Sequence, residues 1–262
     1  MNATLITGAA GGIGREFAKI YAAKGNDIIA VDLHQESLNE LKDELVSFNR
    51  SIEIHLLPMD LSTPGASEAL FNWCQEKQLV VESLINNVGF GLMGEHVDLD
   101  INRVENMLCV NNLLLTKLCV LFGKEMKQRR HGNILNVASL AAMSPAPFFS
   151  AYSASKAYTM AFSVGLAREL GEYNVTVSCL CPGTTKTAFL DTAQTGLKSA
   201  SGITRFVSAY MITPDLVAQA GVKALEAGKL VATPNKFLSI QGLFLRHLPI
   251  SLVSWFVHKR TV

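Results

Sequence analysis

The sequence predicts an α/β fold, one doubly wound parallel sheet of about seven strands flanked by helices. Three observations predict it. Short apolar runs of strand type alternate with amphipathic helical segments as far as about residue 235. The first run enters a helix through a glycine-rich turn, which is how such sheets hold a phosphate. The later runs end in polar or small residues, as expected where ligands lie at the carboxyl ends of parallel strands. No repeat or low-complexity linker divides the chain, so residues 1–235 are expected to be one domain, with residues 236–262 as an apolar extension of it.

Residues 4–7 (TLIT) form the first strand, GAAGGIG the turn, and REFAKIYAAKG a helix that Gly25 closes. Gly8, Gly12 and Gly14, with Ile13 between the last two, give the spacing GxxxGxG. One glycine makes the turn, one lets backbone approach a pyrophosphate, and one admits tight helix–strand packing at the positive helix end. Such a turn can be no more than a turn; between a strand and a helix it reads as a nucleotide site.

DIIAVD, the second strand, ends at Asp32, eighteen residues after Gly14. A carboxylate there can bind ribose hydroxyls and repel a 2′-phosphate. Neither Gly11 nor Leu33 is basic, so NAD is expected over NADP, although a protonated His34 would weaken the preference. The alternative for Asp32 is a cap on the helix that follows. IEIHLLPMDL reads as a third strand ending in Asp60-Leu61, which would bound an adenine pocket. VESLINNVG is the fourth, running into Asn86, Asn87, Val88 and Gly89; amides there suit a cofactor crossing the sheet, or a strand cap.

Ile101–Arg129 reads as one long apolar helix interrupted by Asn111 and Asn112. Asparagines are poor helix formers and costly if buried unpaired, so either they are hydrogen-bonded for structure or one serves a site. GNILNVAS is a fifth strand that delivers Ser139, and VTVSCLCPGTTKT a sixth that closes on Pro182, Gly183 and Thr187. Residues 188–212 lack periodicity and read as a substrate lid whose Phe189, Leu190, Phe206 and Tyr210 would line an apolar pocket, or else pack against the body of the domain. Pro214 opens a last helix, and residues 230–233 (LVAT) are the candidate seventh strand.

Between the fifth and sixth strands, SLAAMSPAPFFSAYSASK places Ser139 thirteen residues before Tyr152, and Tyr152 four before Lys156. On a helix from Ala151 onward, Tyr152 and Lys156 share a face, one turn apart. A phenol holds its proton to about pH 10, and a neighbouring ammonium should pull that value down. A serine hydroxyl can then hold an alcohol or carbonyl oxygen against the phenol. That is a proton-transfer site for interconverting the two, provided a hydride carrier binds nearby.

Composition narrows the classes. Charged residues are 17% of the chain, below the roughly 25% of ordinary soluble domains, which points to surface covered by a partner, a membrane or a greasy substrate. A net charge of +1 and the absence of a basic aromatic stripe argue against nucleic acid. Five cysteines without CxxC spacing read as buried thiols in a reducing compartment, and six histidines without HExxH spacing suggest no metal. The first apolar residues run straight into the glycine turn, so no secretory leader is expected and a cytoplasmic location is. The tail 237–257 is apolar at thirteen of 21 positions, with Arg246, His247 and Pro249 at its centre. It reads as a packing element, a cap on the substrate pocket, or, through residues 237–260, a peripheral membrane contact.

Together these residues resemble the short-chain dehydrogenase/reductase superfamily, in its so-called classical group with a Rossmann-type sheet, over roughly residues 1–235. TGAAGGIG is similar to the family's TGxxxGIG, MDL to its adenine-pocket aspartate, and NNVG to its NNAG. YSASK matches YxxxK, PGTTKT matches PGxxxT, and Ser139 has the family's offset from the tyrosine. The stretch around YSASK is similar to the branch of long-chain 3-oxoacyl and 17β-hydroxysteroid reductases. Many of those carry an arginine where this chain has Asp32.

The resemblance implies Tyr152 as general acid/base, Ser139 as partner of the substrate oxygen, and Lys156 on the ribose and tuning the phenol. It implies Asn111 as anchor of a proton-relaying water, Thr187 on the nicotinamide carboxamide, and assembly as a homodimer or homotetramer through the helices at 101–129 and 152–171. The expected function is NAD(P)-dependent interconversion of a secondary alcohol and a ketone on an apolar substrate. A non-catalytic dinucleotide-binding protein on the same fold is the alternative. Such a protein would be expected to have lost Ser139, Tyr152 or Lys156, and all three are present.

Overall fold

Seven strands pair among the described residues: β1 (Asn2–Thr7), β2 (Asp27–Asp32), β3 (Ile54–Pro58), β4 (Val80–Asn86), β5 (Gly132–Val137), β6 (Val175–Leu180) and β7 (Val231–Ala232). The structure, a computed structural model, describes residues 2–144, 146–187, 189, 211–235, 238–240 and 251. The sheet order is β3-β2-β1-β4-β5-β6-β7 and every pairing is parallel. Strand order therefore reverses between β1 and β4, the switch point at which such sheets open a crevice for ligands.

Helices α1 (Gly12–Ala23), α2 (Gln35–Phe48), α3 (Ala66–Glu76), α4 (Ile101–Leu108), α5 (Leu115–Arg129), α6 (Ser150–Gly171) and α7 (Pro214–Glu226) cover the sheet. Both faces are covered, so the central strands are apolar on both sides, and their two-residue period sorts residues between two cores. Leu5, Ile29 and Val31 face Leu70, Leu118 and Phe122 of α3 and α5. Ile6, Ile28 and Ala30 face Phe17, Leu41 and Val217 of α1, α2 and α7.

Two expectations are corrected. The third strand stops at Pro58, so Asp60 and Leu61 lie in the turn beyond it. A proline brings no N–H to a ladder, and β3 is an edge strand where its ring is tolerated. The long helix over Ile101–Arg129 is not uniform: a π-helical segment, Cys109–Leu114, joins α4 to α5 and holds both asparagines. Length and composition alone would let this helix cross a membrane. Its inward residues Met107, Val110, Leu118, Phe122 and Met126 are instead buried against the domain.

Residues 188–212 and 236–262 lie largely outside the described residues. On either side of the stretch read from the sequence as a lid, Thr185 and Ile212 form a parallel bridge, with Ile212 N donating to Thr184 O at 2.9 Å. Of the tail, Leu238 is buried and packs on Gly183, where a side chain would come within 3.0 Å of it.

Candidate active site

Helix α6 begins at Ser150 and carries Tyr152 and Lys156 inward, 8% and 5% exposed. Lys156 Nζ donates to Val137 O, at the end of β5, at 3.0 Å. It lies 5.8 Å from the centroid of the Tyr152 ring. Ser139 follows β5 by two residues and opens a 3₁₀ turn (Leu140–Met143), accepting there from Ala141 N at 3.2 Å. Its hydroxyl also hydrogen-bonds the Tyr152 phenol. The structure thus brings Ser139, Tyr152 and Lys156 together beside the switch point.

Burial dominates their electrostatics. It pushes the Tyr152 phenol up to about 12, against a smaller downward pull from Ser139. It pushes the Lys156 ammonium down to about 8, against an upward pull from Cys179 and Cys181, whose sulfurs lie 4.0 Å apart. The sequence expectation that Lys156 lowers the tyrosine is therefore not met in this state. The ammonium donates to a backbone carbonyl and lies over the ring, and both groups lose more in leaving water than they gain from each other.

Both asparagines of the π segment are hydrogen-bonded through their side chains. Asn111 Oδ1 accepts from Phe90 N at 3.1 Å, and its Nδ2 donates to Phe90 O at 2.9 Å and to Ser155 Oγ at 3.1 Å. Asn112 Nδ2 donates to Ser155 O at 2.8 Å. Neighbours on a regular α-helix diverge by about 100°, whereas the widened π turn lets consecutive side chains reach one residue of α6. Ser155 is the hub that sequence reasoning missed. It stands directly before Lys156 in YSASK, where the only signal is its place one turn along from Tyr152, whose carbonyl accepts from Ser155 Oγ at 2.7 Å. Gly89 lies against this clamp: a Cβ there would sit 2.8 Å from Asn111 Oδ1 and 3.2 Å from Lys156 Nζ.

The glycine turn fits a pyrophosphate. Gly14 admits nothing larger, since a Cβ would fall 1.9 Å from Gly8 O, and Gly12 has φ +51°. Gly11 caps α1 without any side-chain bond, which leaves first-turn N–H groups for an anion. Asp32 does not cap α2, whose N-cap is His34. Its carboxylate accepts from Ala10 N at 2.8 Å and Leu33 N at 2.7 Å, tying the turn to β2. A carboxylate has about four lone-pair sites, so ribose hydroxyls can still be accommodated.

The remaining predicted positions divide between ligand and scaffold. Asp60 is exposed and accepts from Ser62 N and Oγ, which holds its carboxyl below the usual range; Leu61 is buried in the core. Asn87 Nδ2 donates to Thr7 O and Gly8 O, joining β4 to the glycine turn. Pro182 O accepts from Leu140 N at 2.8 Å, which fixes the loop after β6 to the serine turn. Thr187 reaches across to Gly12, where a Cβ would meet its methyl at 2.9 Å.

The short chain dehydrogenase sequence profile matches residues 2–198. The chain belongs to that family. As a short-chain dehydrogenase it is 33% identical over 247 residues to the dehydrogenase/reductase SDR family member 7B of Xenopus tropicalis, covering 91% of this chain and 77% of that one. It is 27% identical to a dehydrogenase/reductase SDR family protein 7-like of Anopheles gambiae, over 98% of this chain and 82% of that one. It is 35% identical over 185 residues to the very-long-chain 3-oxoacyl-CoA reductase of Aspergillus terreus, 66% of this chain but half of that protein's length.

Two solved short-chain dehydrogenases share the fold. One from Sphingobium yanoikuyae, in complex with NADPH, superposes with a TM-score of 0.82 at 25% identity, covering 92% and 91% of the two chains. One from Burkholderia phymatum, in complex with NAD, superposes at 0.84 with 23% identity, covering 97% and 95%. The family places this chain among nicotinamide-dependent oxidoreductases.

The buried lysine makes a prediction for stability. Unfolded, Lys156 holds its proton to its ordinary 10.5; folded, it loses it at about 8. Below pH 8 the full penalty opposes folding, and it is relieved as pH rises towards 10.5. Lys156→Met is therefore expected to be more stable than the parent at pH 7, by up to roughly 3 kcal/mol, with the advantage shrinking above pH 8. Urea unfolding at pH 7, 8, 9 and 10 measures this; an advantage that is absent, or constant with pH, contradicts it.

Proposed function

We propose that this short-chain dehydrogenase interconverts a secondary alcohol and a ketone on an apolar substrate. The observation that carries the reading is the convergence of Ser139, Tyr152 and Lys156 on one buried point beside the glycine turn. When bound, the nicotinamide supplies or accepts hydride at the substrate carbon. The chain's own residues manage the oxygen. Ser139 and Tyr152 hold it between two hydroxyls, and in reduction the phenol gives up its proton as negative charge grows there. A phenol held to about 12 is fully protonated at neutral pH, which suits the acid role. Lys156 stands beside the phenolate that results. Asn111 holds the Phe90 backbone next to Gly89, the glycine that Lys156 Nζ approaches.

Tyr152→Phe should lower kcat by about two to four orders of magnitude while cofactor binding, read by NADH fluorescence, stays near the parent value. Undiminished turnover in that variant would overturn the mechanism.

We further propose NAD as the preferred cofactor. Asp32 stands at the ribose end of β2, and neither Gly11 nor Leu33 offers a charge to a 2′-phosphate. The ratio of kcat/KM for NADH and NADPH is expected to favour NADH, and to shift towards NADPH in Asp32→Ala with Leu33→Arg. A clear NADPH advantage in the parent protein would contradict it.

The outer faces of α4, the π segment and α6 support assembly as a homodimer or homotetramer. A groove of about 490 Å³ lies there, with Leu108, Leu113 and Tyr158 substantially exposed along it. Light scattering at micromolar concentration should give a multiple of 28.4 kDa, and the monomer mass would refute this reading. Buried free thiols at Cys74, Cys119, Cys179 and Cys181 favour a reducing, cytoplasmic setting. Of the readings for the tail, Leu238 on Gly183 favours packing against its own domain over a membrane contact.

A further inference from the structure

The ring of Phe189 lies against the ring of Tyr152, with centroids 5.4 Å apart and planes tilted by 49°. Phe149 flanks the same tyrosine at 5.7 Å and 60°. Gly91 completes the slot: a Cβ there would sit 2.8 Å from Phe189 Cζ and 3.2 Å from Tyr152 Cδ2. Buried Leu92, Val104 and Met107 back it, so its walls are apolar apart from the phenol and Ser139.

Tyr152 is 8% exposed, with Phe189 and Phe149 packed against its ring. Phe189 is only half-buried, and its N–H donates to Thr187 Oγ1 at 3.4 Å, a long bond. The Phe189 ring thus fills a flat, apolar slot against the tyrosine, a space into which another aromatic ring would fit. We infer that the slot formed by Gly91, Phe149 and Tyr152 is a subsite for a flat aromatic ring bonded to the reacting carbonyl or carbinol carbon, and that Phe189 fills it when substrate is absent. The inference rests on the alcohol–ketone reading and narrows it to aryl ketones and aryl carbinols. An aromatic ring keeps the tilted contacts that Phe189 makes, which favour centroid separations of about 4.5–7 Å. A branched or saturated ring is thicker and meets the floor that Gly91 leaves flat.

The test is binding, read apart from turnover. Acetophenone and 2-octanone are titrated against the full chain with NAD⁺ present, a ketone–oxidised-cofactor pair that cannot react, using saturation-transfer NMR. Removing a self-occupying ring raises the fraction of open slots, which helps only a ligand that enters the slot, so Phe189→Ala should lower the acetophenone Kd about tenfold and the Kd of 2-octanone, whose oxygen can meet the phenol without a ring in the slot, less than about twofold. Adding Gly91→Ala should return the acetophenone Kd to the parent value or weaker. Phe189→Leu keeps apolar volume and should melt with the parent protein while giving an intermediate Kd, which separates the effect from misfolding. Equal acetophenone affinity in parent, Phe189→Ala and Phe189→Leu overturns the inference, as does an equal gain for 2-octanone. Acetophenone that binds as described but is not reduced with NADH or NADPH would instead refute the alcohol–ketone reading and leave the subsite standing.

Discussion

Lys156 Nζ has left water to donate to Val137 O, and much of the surrounding structure depends on that one placement. An ammonium in a protein interior carries an effective penalty of several kcal/mol, so each neighbour has to permit or compensate it. Gly89 permits it by having no side chain to collide with Nζ. Helix α6 permits it by packing on β6 and reaching the end of β5, a placement secured by Asn111 and Asn112 on Ser155. The thiols of Cys179 and Cys181 compensate it in part, since either, when ionised, favours the ammonium. The π segment is thus a consequence of the same need: two consecutive amides must reach one serine.

Burial acts on Tyr152 in the opposite chemical sense and with the same result. The phenol is held in its neutral form and the lysine is drawn towards its own. A neutral phenol beside an ammonium that still keeps its proton at pH 7, in a dry environment, responds strongly to any further charge that enters, because Coulomb interactions there are weakly screened. The electrostatic coupling expected of the tyrosine–lysine pair is therefore latent in the protein by itself and grows when charge develops on a bound oxygen.

How far the sequence could be read follows from the range of each interaction. The alternation of elements, the glycine turn and the tyrosine–lysine spacing are local, and each appears in the structure where its residues stand. Asp60 was placed on a strand because its neighbours are apolar, whereas Pro58 ends the ladder and Ser62 claims the carboxylate. Asn111 and Asn112 were recognisable as anomalies but not as a π turn, since their partners Phe90 and Ser155 lie 21 to 44 residues away. The contact of Phe189 with Tyr152 was equally invisible: it depends on Gly91, a glycine outside every motif.

The all-parallel sheet also governs how the chain comes into being. β1 sits at the centre and pairs with β4 in a register that joins Ala3 to Val81. No adjacent segment can satisfy that edge, because each parallel pairing needs an intervening crossover. At ordinary synthesis rates the ribosome needs about 4–16 s to deliver the strand that covers it. During that interval one edge of β1 stands open, with β2 on its other side. The nascent chain, rather than the finished enzyme, is then where chaperones would find the most to hold.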